Sequence, residues 1–267
     1  SGLHANVTIN PSPHNSGIIF KRIDKNVVIP AKWDHVSSTK FSTNIGKNEI
    51  EVKTVEHLLS ALAGLHINNC EILIDNCEVP ILDGSSKIFV ESILRAGLKE
   101  QSLSQNILEI KRPVRFECNY GFAEFIPNEL SQEGLNIDLE SSFEGKYKDQ
   151  TIEVKNLNGN YIDSIAQART FGFFHEIEYM KSQNLIKGGS LENAIVIKDK
   201  KPLNKEGLRY ENELMRHKVL DVVGDLYLSG YPIIGTYRGF KTGHFITNNL
   251  LKELFKSEDN YSIHQIN

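Results

Sequence analysis

Apolar positions along this chain switch between two periods, and the switches mark its elements. Val7-Thr8-Ile9-Asn10 alternates as a half-buried strand does and then meets Pro11, a turn residue. Ile18-Ile19-Phe20 and Asn26-Val27-Val28-Ile29 read as two further strands. From Thr54 to Gly64 the period changes. Val55, Leu58, Leu59 and Leu62 fall on one helical face, with Thr54 as the cap and Gly64 as the stop. An apolar strand follows at Cys70–Ile74, then a turn at Val79-Pro80 and a second helix over Lys87–Leu94, capped from Asp83-Gly84-Ser85-Ser86. Residues 97–106 carry neither period and read as a linker.

The second half repeats the style. Strands are expected at Leu108–Ile110, Gly121–Ile126 and Leu135–Leu139, a helix over Leu214–Leu228 and a strand at Ile233–Tyr237. In both halves a helix with a histidine near its start leads through a turn into a strand. The pattern predicts an α+β fold of two related domains, about 1–104 and 105–267, each a sheet covered by helices on one side. Residues 171–206 stand apart from this repeat. They hold an aromatic cluster (Phe171, Phe173, Phe174), a short helix near Glu176–Gln183, the Gly188-Gly189 break and a strand at Ala194–Ile197. A small strand-helix-strand insertion is expected there.

Composition narrows the function classes. With 40% hydrophobic and 24% charged residues, the chain can bury a core. Its 34 acidic residues against 30 Lys and Arg leave a net charge of −4, which does not suit a wrapper of nucleic acid. Cys70, Cys77 and Cys118 are too few and too scattered for a disulfide framework, so structural thiols in a reducing cytoplasm are expected. No segment has the length of a membrane span. The chain opens at Ser1 rather than at a methionine, which leaves a lost leader open.

Three segments carry candidate chemistry. On a helix, His217 and Asp221 lie four residues apart and rise from one face, where an imidazole and a carboxylate can share a metal. Asp225 is one turn further on the same face. Taken alone, the pair is better described as an ordinary His–Asp contact on an exposed helix. Glu56-His57 adds a further candidate ligand beside a carboxylate that could serve as a general base, although by itself such a pair is more often a solvated face. His244 lies in the glycine-punctuated loop Arg238–Phe245, where a histidine suits a general acid or a plain surface residue. His4, His14, His35, His66, His175 and His264 have no such company.

Together these segments resemble a known family. Thr54-Val55-Glu56-His57-Leu58-Leu59-Ser60-Ala61-Leu62 and Val79-Pro80-Ile81-Leu82-Asp83-Gly84-Ser85 look like its first-domain signatures. Ala168-Arg169-Thr170-Phe171, Lys187-Gly188-Gly189-Ser190, Leu208-Arg209-Tyr210-Glu211-Asn212-Glu213 and Gly243-His244 look like its second-domain ones. The family is that of the UDP-3-O-acyl-N-acetylglucosamine deacetylases of lipid A biosynthesis, and the resemblance spans essentially the whole chain. It implies Zn2+ held by His57, His217 and Asp221, Glu56 as general base, and His244 as general acid oriented by Asp225. It further implies Thr170 at the oxyanion, Lys218 and Lys241 near substrate and diphosphate, and Phe171 with the rest of the insert along an acyl-chain passage. The active site would lie between the two domains of a cytoplasmic monomer without nucleic-acid partners.

The family opens with a strand and a Gly-x-Gly-Leu-His-Ser-Gly motif. Here Ser1-Gly2 matches only the end of that motif, and His4 is not its histidine. The first strand of the first domain is therefore expected to be missing. Rival readings are an amidase of the same fold acting on another acylated nucleotide sugar, a non-catalytic nucleotide-sugar or lipid-binding module, and an RNA-binding module. Retained Glu56 and His244 weigh against the pure binder, and the lack of a basic aromatic sheet face weighs against the RNA reading.

Overall fold

Alternation in the strands becomes one covered face and one partly open face in the computed structural model, which describes residues 1–129, 132–183 and 185–266. The first half runs β1 (Val7–Pro11), β2 (Ile18–Arg22), β3 (Val27–Pro30), β4 (Val36–Ser38), β5 (Asn44–Lys47), β6 (Ile50–Val52), α1 (Glu56–Gly64), β7 (Cys70–Ile74) and α2 (Lys87–Ala96). The second half begins with β8 (Gln105–Ile110), β9 (Val114–Cys118), β10 (Gly121–Ile126), β11 (Leu135–Ser141), β12 (Gln150–Val154) and α3 (Tyr161–Ser164). It continues through β13 (Phe171–Phe173), α4 (Phe174–Ser182), β14 (Ile195–Lys198) and β15 (Lys201–Pro202). It closes with α5 (Glu213–Leu226), β16 (Ile233–Phe240), α6 (His244–Leu254) and β17 (Tyr261–Ile266).

The first sheet has the order β1-β7-β2-β3, with β7 parallel to β2 and antiparallel to β1. The second has the order β12-β11-β16-β10-β9, with β16 parallel to β11, and β8 and β17 extend it. In each half, then, the strand after the histidine-bearing helix pairs in parallel with an earlier strand. Cys70, Ile72 and Ile74 of β7 are buried on one face, as are Ala123 and Phe125 of β10. The α+β class expected from the periodicity is what the chain forms. The 171–206 region is a strand-helix-strand unit in which β13 and β14 pair in parallel, with β15 added.

Several boundaries differ from the sequence reading. Thr54 does not cap α1. Its φ is +56° and its hydroxyl donates to Glu78, so the cap falls on Val55 and the helix starts one residue later than expected. The helix needs no side-chain cap because Glu56 through Leu62 are all buried against neighbouring elements, and packing replaces local capping. Near α2, Ser85 Oγ accepts from the Lys87 amide, as the turn residues suggested. The short strands β4, β5, β6, β9, β12 and β17 carry little of the pattern that marks a strand, since few of them alternate over more than two apolar positions.

α1 packs against both α5 and α2, while α5 and α6 cover the second sheet. Buried side chains from both halves form one continuous apolar cluster across the α1–α5 contact. The contact depends on Gly224. A Cβ there would lie 2.0 Å from the Glu56 carbonyl oxygen, so only glycine lets the two helices approach this closely. Among the described residues, no helix is long and apolar enough to cross a membrane.

Candidate active site

The α1–α5 contact brings the first turn of one helix beside the middle of the other, and titratable side chains meet there. His57 from α1 and His217 and Asp221 from α5 form the metal-competent cluster found among the described residues. Asp221 Oδ1 lies 3.3 Å from His217 Nε2 and 3.5 Å from His57 Nε2. Those separations match the edge of a tetrahedron whose centre-to-vertex distance is about 2.0–2.1 Å, the usual zinc–ligand length.

Proton placement supports the same fit. His217 Nδ1 is 3.0 Å from the Ala168 carbonyl oxygen, which can only accept, so Nδ1 carries the hydrogen. Burial pushes the His217 imidazole down to about 4, so it is neutral near pH 7, with the Nε2 lone pair toward Asp221. Burial favours the protonated form of Asp221, but His217 and His57 together hold its carboxyl well below the ordinary range. Asp221 Oδ1 is nevertheless buried without a hydrogen bond, and it faces the lone pair of a neutral imidazole. Two acceptors pointed at each other in a buried site call for a cation between them. The residues therefore fit a divalent metal.

Glu56, next to His57 on α1, is buried and points into the same space. Its Oε2 accepts from the Thr43 amide at 3.0 Å, and its Oε1 is 3.8 Å from His244 Nε2. Desolvation raises the carboxyl to about 7, against the pull of His244 and His57, so it can hold or release a proton near neutrality. The solvated-face reading of Glu56-His57 is thus overturned by burial.

His244 is not in a loop, as the glycines suggested. It opens α6, with Gly243 as the extended residue before it. A helix N-terminus disfavours a positive imidazole. Burial disfavours it too, yet Asp225, bonded to His244 Nδ1 at 2.9 Å, and Glu56 raise it to about 10. Asp225 is buried and also accepts from the Thr43 hydroxyl. A neutralisable carboxylate and a held imidazolium thus face each other beside the metal-competent cluster.

The other expected residues divide. Thr170 is half-buried, and its backbone bridges the Gly84 carbonyl and the Ile195 amide. It follows Arg169, whose guanidinium is paired with buried Glu213. Phe171 presents its ring to His217, with centroids 6.3 Å apart. Phe173 is buried among Phe143 and Phe171, whereas Phe174 is exposed under Lys198, so the aromatic cluster is not one surface. Lys218 is half-buried, its ammonium destabilised by burial and bonded to the Thr242 carbonyl at 3.1 Å. Lys241 Nζ pairs instead with Glu144 at 3.0 Å. Thr43 and Asn248 carry no motif and reach the site only through the fold, whereas Ala168 lies in a signature segment but meets His217 through its carbonyl, which no residue type marks.

The profile of the LpxC family, UDP-3-O-acyl N-acetylglycosamine deacetylase, matches residues 1–256. The chain belongs to this family. A UDP-3-O-acyl-N-acetylglucosamine deacetylase of Saccharophagus degradans is 43% identical over 265 residues, covering 97% of this chain and 87% of the relative. That of Legionella pneumophila strain Corby is 41% identical over 267 residues, covering 97% and 86%. In this deacetylase family member, the segments that carried the resemblance converge: the Glu56-His57 segment, the His217 helix and Gly243-His244 meet at one centre, with Ala168–Phe171 beside it.

Proposed function

We propose that the chain is a zinc-dependent amide hydrolase that removes acetate from the 2-acetamide of UDP-3-O-acyl-N-acetylglucosamine, the committed step of lipid A biosynthesis. The observation that carries this reading is the buried convergence of His57, His217 and Asp221 beside Glu56 and His244. Family membership and the substrate named in the relatives' descriptions support it. His57, His217 and Asp221 would hold the ion, which when bound supplies Lewis acidity toward the amide carbonyl and lowers the pKa of water.

The remaining work falls to the chain. Hydrolysis breaks the amide C–N bond, delivers a hydroxyl to the acetyl carbon and a proton to the nitrogen. Glu56 takes the proton of the attacking water, its carboxylate steadied by the Thr43 amide. His244 enters as an imidazolium and protonates the departing amine, while Asp225 fixes its ring and offsets its charge. Thr170 donates toward the oxyanion as the carbonyl becomes tetrahedral. Lys218 and Lys241 supply positive charge for the diphosphate, which requires Lys241 to exchange Glu144 for substrate. Phe171 and the 171–206 insert receive the acyl chain. The division into domains at about residue 104 puts α1 in one and α5 in the other, which is why the site lies between them. Three cysteines without a disulfide suit a reducing cytoplasm.

Mass spectrometry of synthetic UDP-3-O-acyl-N-acetylglucosamine incubated with the purified protein tests the proposal. Loss of one acetyl group is expected, abolished by chelation and restored by Zn2+. An unchanged substrate with stoichiometric zinc bound would overturn the substrate assignment.

A further inference from the structure

We propose that Thr43, together with Asn248, is a positioning residue that couples the Glu56 carboxylate to the Asp225–His244 pair. The proposal rests on the functional reading above. Thr43 lies immediately before β5, far in sequence from α5 and α6, and its side chain is 0% exposed. Its amide donates to Glu56 Oε2 at 3.0 Å, and its hydroxyl donates to Asp225 Oδ1 at 2.5 Å. One residue therefore holds both carboxylates, one through the main chain and one through the side chain. Asn248 Nδ2 reaches the Thr43 hydroxyl at 3.4 Å and the His244 carbonyl at 2.9 Å, closing the circuit onto the backbone that carries the imidazole.

The consequence is orientation. Asp225 spends Oδ1 on Thr43 and Oδ2 on His244 Nδ1, so two partners fix the plane of its carboxylate. That plane fixes the imidazole, and the Nδ1 hydrogen bond holds the ring with Nε2 directed at Glu56. Threonine suits the task because its branched β-carbon restricts χ1, so the hydroxyl arrives already aimed. A valine keeps the shape and removes the donor.

A brace that only stabilises the fold would lower the unfolding temperature and leave chemistry intact, so the test reads chemistry. In the zinc-loaded full chain, Thr43→Val should lower kcat on the order of 10- to 100-fold, the range for groups that orient a reacting side chain. KM and zinc content should stay close to those of the parent, and Thr43→Ser should retain most of kcat. In a His244→Gln background, Thr43→Val should cost about 2-fold or less, because its route to the substrate is gone. Should the valine protein not fold, Thr43→Ala carries the same comparisons. A readout independent of turnover is the His244 Nδ1 proton in NMR spectra, slowly exchanging in the parent and in Thr43→Ser, and fast in Thr43→Val. Equal kcat losses in the valine and serine proteins, or additive losses with His244→Gln, would overturn the proposal. So would an unchanged Nδ1 proton. If the parent fails to deacetylate the acylated sugar while the Nδ1 proton responds as stated, the functional reading fails and the positioning role stands.

Discussion

Replacing Gly224 with alanine tests how far the site depends on the approach of two helices. The added Cβ would lie 2.0 Å from the Glu56 carbonyl oxygen, 2.7 Å from its carbon and 2.9 Å from its Cα. All three are backbone atoms, so no side chain can rotate away. Restoring ordinary contact requires α1 and α5 to part by roughly 1 Å or more. Alanine gains about 1 kcal/mol over glycine in a helix. Overpacking costs about 1–3 kcal/mol, at the upper end where backbone must move, so the clash wins. A net loss of about 2 kcal/mol corresponds to a fall of roughly 4–8 °C in Tm for a chain of this size. The local effect is sharper. His217 and Asp221 share α5 and keep their 3.3 Å separation, whereas the 3.5 Å spacing from His57 to Asp221 spans the two helices. A metal site tolerates shifts of about 0.2 Å in its ligand distances. Zinc affinity should therefore fall by at least about 10- to 100-fold, read by competition with a fluorescent chelator. Gly159→Ala, where a Cβ meets nothing within 4 Å, is the control and should change neither quantity. Unchanged zinc affinity and Tm in folded Gly224→Ala would refute the claim that glycine sets this spacing.

His217→Ala should abolish both stoichiometric zinc and turnover, measured by elemental analysis and the deacetylation assay. Glu56→Gln should keep its zinc and lose roughly 10²- to 10⁴-fold in rate, and loss of metal would instead make Glu56 a ligand. In the parent, kcat/KM should rise as Glu56, raised to about 7 by burial, loses its proton, and fall as His244, held near 10 by Asp225, loses its own. A bound divalent cation favours both deprotonated forms, so both limbs of the measured bell should lie below those values. A substrate without its 3-O-acyl chain should lose on the order of 10³ in kcat/KM, since five buried methylenes at about 0.8 kcal/mol each give roughly 4 kcal/mol. Phe171→Ala should narrow that acylated-to-unacylated ratio, and equal losses on both substrates would remove the residue from the acyl path.

Long periodic runs made the fold legible where packing and pattern agree. The helix over α1 follows from the spacing of its apolar residues and the strand at β7 from its apolar run, and in β7 and β10 burial then alternates along the strand. The failures have a common cause. Thr54 is a good cap by type, but its hydroxyl is taken by Glu78 and α1 is held by burial instead. His244 was read as a loop residue because glycines precede it, yet Gly243 is extended and α6 begins directly after it. Strands such as β5 and β6 are short, and their hydrogen bonds to one another hold them where no local pattern does.

The site was legible in part because its chemistry uses helical spacing. His217, Asp221 and Asp225 sit on one face of α5, and that much follows from the sequence alone. What no spacing could give is depth. Taken by residue type alone, Glu56 and His57 fit a solvated face as well as a metal site, and only contact with α5 buries them and changes their protonation. Burial raises Glu56 toward neutrality while the Asp225 contact holds His244 charged, so two groups of ordinary type acquire opposite tasks. Thr43 shows the same limit from the other side. It precedes Glu56 by 13 residues and Asp225 by 182, yet it donates to both, and a hydroxyl amid polar neighbours carries no mark of that position. Residues that bear the reaction can thus be found by type and spacing. Those that set their charge and aim are found only once the chain has brought α1, α5 and α6 together.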